Sequence, residues 1–394
     1  MKSFYKNLVA VLGIAIFFSA CNKVDDLPSY SAGTAPTLSA STASVAATAA
    51  DSSAKVISFS WTDPKHATDP ATYKYVLQFD VSGNDFKNPA ERTVIGALGD
   101  SLTGKQLNDI LLGFGFSFNV AYNVDIRVIS SYGNNNEQLT SNVITLNATP
   151  YKVPPKVVPP TSGHLYLVGS ATAGGWNNPV PVPTQEFGKI DETTYAGVFD
   201  LSGGNQYLAL PVNGDWSNKF AVADGNLPGL SDGGDFGFNL SDNFPGPATS
   251  GTYLIVFDFQ AGKFTVTPYT GPQLPTDLFM VGDATAGGWN NPVPVPSQQM
   301  TRLNSVQFEL TVPLTGGAQY LLLPVNGDWS HKYAVPNGAL AGLSAGGFFG
   351  YDISDNFPGP SATGTYKLEV NFAVNSDENN PPAPNRAWFK MTQQ

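Results

Sequence analysis

The chain repeats itself. Residues 169–253 align without a gap on residues 282–366, an offset of 113 (282 − 169). Gly174-Gly175-Trp176-Asn177-Asn178-Pro179 returns as Gly287-Gly288-Trp289-Asn290-Asn291-Pro292, and Asn213-Gly214-Asp215-Trp216-Ser217 returns as Asn326-Gly327-Asp328-Trp329-Ser330. Ser241-Asp242-Asn243-Phe244-Pro245 returns as Ser354-Asp355-Asn356-Phe357-Pro358. Solenoid repeats have periods of about 20–50 residues, so a period this long makes each copy a domain with its own core. Within the first copy, residues 165–169, 194–201, 206–212, 252–259 and 263–267 are short runs of β-branched and aromatic residues bounded by Gly, Asn, Asp and Pro. No stretch holds helical spacing. The pattern predicts a β-sandwich for each copy, over 162–269 and 276–394.

Ahead of the repeat, residues 35–149 form a third unit without its motifs. Residues 57–61, 73–79, 119–128 and 141–146 alternate with strand period, and Trp61 followed by a tyrosine-bearing strand suggests an Ig or fibronectin-III sandwich. Residues 105–112 read as one short helical turn. The expected fold is therefore all-β, three tandem β-sandwich domains, joined by linkers at 22–34, 150–161 and 270–275. The second linker is Pro-rich and reads as an extended, semi-rigid spacer.

Residues 1–21 have a basic start at Lys2 and Lys6, an apolar run over 8–18, and Ser19-Ala20 before Cys21. Eleven apolar residues are too few to span a bilayer, so the segment reads as a signal peptide. Cys21 is the sole cysteine, and Phe18-Ser19-Ala20-Cys21 resembles a bacterial lipobox, whose cysteine is acylated. The alternative is a signal peptide with a chance cysteine at its end. Asn22-Lys23-Val24-Asp25-Asp26 resembles the acidic tag that sends Bacteroidetes lipoproteins to the outer face of the outer membrane, with a solvated acidic linker as the alternative. One cysteine and three scattered histidines offer no disulfide framework and no zinc or haem set, so no cofactor is expected. A net charge of −11 without Lys/Arg clusters argues against a nucleic-acid partner.

Sugar rings expose flat C–H faces ringed by hydroxyls, so a carbohydrate site needs exposed aromatic platforms and a few hydrogen-bonding groups. The repeat offers that set twice. Trp176 and Trp216, and their counterparts Trp289 and Trp329, stand in Gly-, Asn- and Asp-rich turns. Lys219 and Lys332 follow the second tryptophan of each copy by three residues. The amides of Asn177, Asn178 and Asn243, with Asn290, Asn291 and Asn356, supply further donors. The competing reading has the tryptophans capping the core from its loops and the lysines merely solvated.

Two other chemistries have partial signals. A glycosidase needs facing carboxylates, and Asp215/Asp328 and Asp242/Asp355 recur, but in Asn-Gly-Asp and Ser-Asp-Asn they are ordinary turn residues. Asp232-Gly233-Gly234-Asp235 hints at calcium, yet the second copy has Ala345 and Phe348 in place of the two aspartates. The expectation is that the chain is not an enzyme.

The whole layout resembles the SusE/SusF-type outer-membrane lipoproteins of Bacteroidetes starch-utilisation systems. The resemblance rests on the lipobox and tag, an Ig-like spacer domain, and tandem modules that open at Leu165-Tyr166-Leu167-Val168-Gly169 and close at Gly251-Thr252-Tyr253. It implies that two aromatics form an arc against an α-glucan helix while a lysine or arginine and an amide bond its 2- and 3-hydroxyls. By position these roles fall to Trp176, Trp216 and Lys219, and to Trp289, Trp329 and Lys332. One departure stands out: the strand that often carries a lysine in the family reads Asn205-Gln206-Tyr207-Leu208-Ala209 here, which puts the glucan specificity in question. The resemblance further implies a lipid anchor in the outer membrane, exposure at the cell surface, and a SusC/SusD-type uptake complex as partner. The alternative is an accessory lipoprotein whose modules serve as spacer or subunit, or bind a different glycan.

Overall fold

The structure, a computed structural model, describes residues 33–373 and 386–394. Cys21 and residues 22–26 lie outside the described residues. The chain divides into two compact units, Met1–Pro154 and Pro155–Gln394.

The first unit contains β1 (Leu38–Ala40), β2 (Ser44–Val45), β3 (Lys55–Trp61), β4 (Lys74–Val81), β5 (Ala90–Ile95), β6 (Gly99–Thr103), helix α1 (Gly104–Gly113), β7 (Tyr122–Ser131), β8 (Leu139–Thr140) and β9 (Ile144–Ala148). One sheet runs β1-β3-β6 and the other β2-β9-β7-β4-β5, with β8 on β7. Period-two alternation sends Phe59 and Trp61 from the first sheet, and Tyr75, Leu77, Ile126 and Val128 from the second, into one core. Trp61 is buried there against Tyr75 at 5.3 Å.

Helix α1 is longer than the single turn expected. Thr103 Oγ1 accepts from Gln106 N while Gln106 Oε1 accepts from Thr103 N, a capping box that satisfies two of the helix's free donors. Leu107 and Leu111, four apart, are buried, and the Asn108 amide bonds the backbone of Tyr151 in both directions.

His66 is 5% exposed, packed between Tyr73 at 5.2 Å and Tyr132 at 4.7 Å, and neither ring nitrogen has a partner. Burial lowers its pKa, partly opposed by Glu137 and Asp63. The unfolded chain then binds the extra proton first, so stability falls as pH drops from about 6.5, the ordinary imidazole value, towards the lower folded one. Denaturant unfolding of the first unit between pH 7 and 5 should show this slope, and His66→Phe should flatten it. An unchanged slope would remove His66 as its source.

The second unit holds both copies. The first contributes β10 (Tyr166–Val168), β11 (Gly188–Lys189), β12 (Thr194–Leu201), β13 (Gln206–Leu210), β14 (Phe220–Ala221), β15 (Gly233–Asp235), β16 (Gly237–Phe238), β17 (Phe244–Pro245), β18 (Gly251–Asp258) and β19 (Lys263–Pro268). The sheet β10-β13-β14-β16, with β17 on β13, faces the sheet β11-β12-β18-β19-β15 across a core rich in phenylalanine. The second copy supplies β20 (Phe279–Val281), β21 (Thr301–Arg302), β22 (Gln307–Leu314), β23 (Gln319–Leu323), β24 (Tyr333–Ala334), β25 (Gly346–Tyr351), β26 (Phe357–Pro358), β27 (Gly364–Asn371) and β28 (Ala387–Gln393). Here β25 runs through the places of β15 and β16, and its pairing with both β24 and β28 links the two sheets into one path.

The copies dock on each other. On β12, Tyr195 and Phe199 point into the first copy's own core, while Ala196 and Val198 join the second copy's core. Leu254 and Val256 of β18 pack against the same cluster. Ser305 N donates to Glu186 O at 2.9 Å across this seam, and Tyr269 Oη donates to Phe372 O at 3.2 Å. Tyr333 Oη donates to Gln273 O at 2.5 Å, so the short linker is pinned to the second copy. In the second copy the matching positions are Glu309, Thr311, Lys367 and Glu369, and Lys367 Nζ lies 2.8 Å from Glu309 and 3.2 Å from Glu369.

Candidate functional site

The site is built on the outer face of the sheet β10-β13-β14-β16. Alternation sends Tyr207 and Ala209 into the core and leaves Leu208 and Leu210 facing out beside Val168 and Ala221. Bare apolar strand faces need cover, and residues 174–183 supply it by folding back so that Val180 packs on these side chains. Val293 does the same over Val281, Leu321 and Leu323.

The base of this loop is fixed by glycine and glutamine. Gly169 bridges Gly175 and has φ +151°, and a Cβ there would collide with Gln206 O and Tyr207 Cα. The buried Gln185 side chain donates to Leu167 O at 2.7 Å and accepts from Gly174 N at 3.1 Å. Gln298 repeats both bonds with Met280 and Gly287.

The two tryptophan loops are tied together. Gly214 N donates to Asn178 Oδ1 at 2.7 Å, and Val180 N donates to Asn213 Oδ1 at 2.7 Å. Asn291 and Asn326 make the same bonds in the second copy. The Asn178 and Asn291 amide nitrogens stay enclosed without a partner, so each amide serves the junction through its oxygen. Trp176 and Trp289 are 41% and 39% exposed, Trp216 and Trp329 49% and 50%. All four side chains therefore stand about half-exposed at the loop surface.

Lys219 precedes buried Phe220 on the strand returning from the Trp216 turn, which by alternation places it on the outer side with Ala221. Its Nζ donates to Ser241 O at 3.3 Å, and Lys332 Nζ donates to Ser354 O at 3.4 Å. The structure thus ties the loop of Trp176 to the turn of Trp216, and the loop of Trp289 to the turn of Trp329, while Lys219 and Lys332 are anchored on Ser241 O and Ser354 O. The other expected residues are placed differently. Asn177 and Asn290 each turn an amide nitrogen back to Gly174 O and Gly287 O at 2.9 Å. Asn243 and Asn356 donate at 3.0 Å to Gln206 and Gln319, at the end of β13 and β23 away from the tryptophan turn.

Asp215 and Asp328 accept from Ser217 N and Ser330 N at 2.8 Å, and the bonds from these serines hold both carboxyls below the usual range. A general acid needs the opposite shift. Asp242 and Asp355 accept from Gly225 N and Gly338 N, a turn role. Asp235 pairs with Lys263 at 2.7 Å, and that bond lowers its pKa. Among the described residues no group of three or more His, Cys, Asp or Glu is placed to hold a metal ion.

Residues 23–129 match the SusE outer membrane protein family. Over that stretch the resemblance read from the sequence is borne out, and the region covers most of the first unit. SusF from Bacteroides thetaiotaomicron matches in structure at 17% identity and a TM-score of 0.31, over 91% of this chain and 77% of that one. No curated protein matches the chain.

Proposed function

We propose that this chain is a non-catalytic polysaccharide-binding lipoprotein of a Sus-type system, held at the cell surface of the outer membrane through an acylated Cys21, and that its ligand is an α-glucan such as starch. The observation that carries this reading is the pair of half-exposed tryptophans in each copy, mounted on two loops that hydrogen-bond each other. Stacking on a sugar face rewards aromatic surface held rigidly in advance of binding. On this reading Lys219 and Lys332, three residues after Trp216 and Trp329, donate hydrogen bonds to sugar hydroxyls. Two sites on one docked unit favour a polymer, because the second contact is made at high effective concentration. The low carboxyls of Asp215 and Asp328 suit a binding site rather than a glycosidase. A SusC/SusD-type uptake complex is the expected partner.

Affinity electrophoresis of residues 22–394 against amylopectin, pullulan, dextran and xylan tests the reading. Amylopectin and pullulan should retard the protein, and Trp216→Ala/Trp329→Ala should abolish the retardation, since truncating a central aromatic costs about 2 kcal/mol, or about 30-fold, per site. If only dextran or xylan retards the protein, the glycan is different. If no glycan does, a spacer or subunit role replaces binding.

A further inference from the structure

The hydrogen bonds of the first copy's aromatic site recur almost one for one in the second, and the rim of the tryptophan turn is where the two part. Asn218, Phe238 and Asn239 in the first copy stand opposite His331, Tyr351 and Asp352 in the second. In the first copy, Lys219 N donates to Asn239 Oδ1 at 2.9 Å. A backbone N–H can only donate, so this bond orients the amide, and Asn239 Nδ2 donates to Asn218 Oδ1 at 2.9 Å. The end of Asn218 left to a ligand is then its NH2 group, a donor. In the second copy, Lys332 N donates to Asp352 Oδ1 at 3.0 Å, and Asp352 Oδ2 lies 2.7 Å from His331 Nδ1. A carboxylate only accepts, so Nδ1 carries the hydrogen and Nε2 is the ring atom left to a ligand, an acceptor whenever the ring is neutral. The ring lies flat on Tyr351, 5.3 Å between centroids at 19°, with its side chain 54% exposed.

We propose that position 218/331, which lies between the turn tryptophan and the lysine of each copy, is a specificity-determining residue that makes the two copies read a saccharide differently. Asn218 donates to a sugar oxygen, whereas neutral His331 accepts from a hydroxyl and becomes a donor when protonated. The inference rests on the glycan-binding reading and deepens it. The groups facing His331 are Asp352 across from it, Asp328 in the preceding turn, Lys332 next in the chain and Tyr351 beneath the ring. Burial alone would raise the Asp352 carboxyl, but the bonds from His331 and Lys332 outweigh it, and the Ser330 bonds hold Asp328 low, so both stay ionised across the imidazole range. Burial raises the Tyr351 hydroxyl, which stays neutral there. Among side-chain types, imidazole is the one whose ordinary pKa, about 6.5, lies between pH 5 and 8.

Binding of maltoheptaose, measured by calorimetry on the full chain at pH 8, 7 and 5, tests this. Trp176→Ala/Trp216→Ala isolates the second copy, and Trp289→Ala/Trp329→Ala isolates the first. Charge-assisted hydrogen bonds are roughly twice as strong as neutral ones, so the second copy should bind about fivefold tighter at pH 5 than at pH 8 while the first stays level. Rebuilding the first copy's pair with His331→Asn/Asp352→Asn should flatten the second copy's profile, and Asn218→His/Asn239→Asp should confer the slope on the first. A level profile in the isolated second copy, or a slope that survives the rebuilt pair, overturns the inference while leaving glycan binding intact. Absence of binding by the unmodified chain at pH 7 defeats the glycan reading, and the inference with it.

Discussion

Ala196→Glu is expected to destabilise the docked pair of copies by about 3 kcal/mol, the scale of a buried charge left without a partner. Ala196 is 3% exposed and belongs to a cluster made mostly of second-copy side chains. The second copy carries Glu309 at the equivalent place, where the carboxylate meets Lys367 at 2.8 Å on a face that is about one-third exposed. In the first copy the lysine's place is taken by Leu254 and that of Glu369 by Val256, so an introduced carboxylate would meet only apolar neighbours. Urea unfolding monitored by tryptophan fluorescence would read the loss, and protease should begin to cut near residues 270–276 as the seam opens. The reciprocal Glu309→Ala should change stability by about 0.5 kcal/mol or less, because exposed ion pairs contribute little. Equal effects from the two substitutions would mean that the seam contributes no stability.

Gly169→Ala should cost about 4 kcal/mol, from unfavourable backbone conformation and overpacking together. The methyl group would strike Gln206 O and Tyr207 Cα, both main-chain atoms of a strand paired on each side. Neither can move without disturbing β13, whose Tyr207 stacks on Phe244 of β17 in the core. Gly282→Ala should behave alike, since Gln319 O and Tyr320 Cα stand in the same places. Gly175→Ala is the control. Its φ is +59° but nothing lies within 4 Å of the added carbon, so only left-handed strain of about 1 kcal/mol applies. Thermal melts would rank the three. A Gly169 variant no worse than the Gly175 variant would show that the bridge between Gly169 and Gly175 is loose, and the placement of Trp176 with it.

Much of this was legible in the sequence. The offset of the repeat and the turn chemistry around Trp176 and Trp216 are local signals, and they point to tryptophan side chains that the structure leaves about half-exposed. What the residue pattern did not yield was long-range pairing. Asn177 and Asn178 are adjacent and chemically identical, yet one closes its own turn and the other ties two loops 36 residues apart. Helix α1 exceeds the single turn expected, although Thr103 and Gln106 have capping-box spacing. The seam had a signal as well: subtracting one copy from the other leaves Ala196, Val198, Leu254 and Val256 against Glu309, Thr311, Lys367 and Glu369. Sites under the same demand stay alike between copies, and surfaces under different demands diverge.

That divergence gives the pair a direction. The apolar face on β12 and β18 acts as a plug, and the second copy's core is open to it as a socket, whereas the charged face on β22 and β27 fits no such socket. Exchanging the order of two modules with nearly identical sites would bury Glu309, Lys367 and Glu369 in the joint and leave Ala196, Val198, Leu254 and Val256 bare to water. The copies share their tryptophan loops but are not interchangeable as building blocks, so a module moved out of this pair must travel with the neighbour its outer face was shaped for.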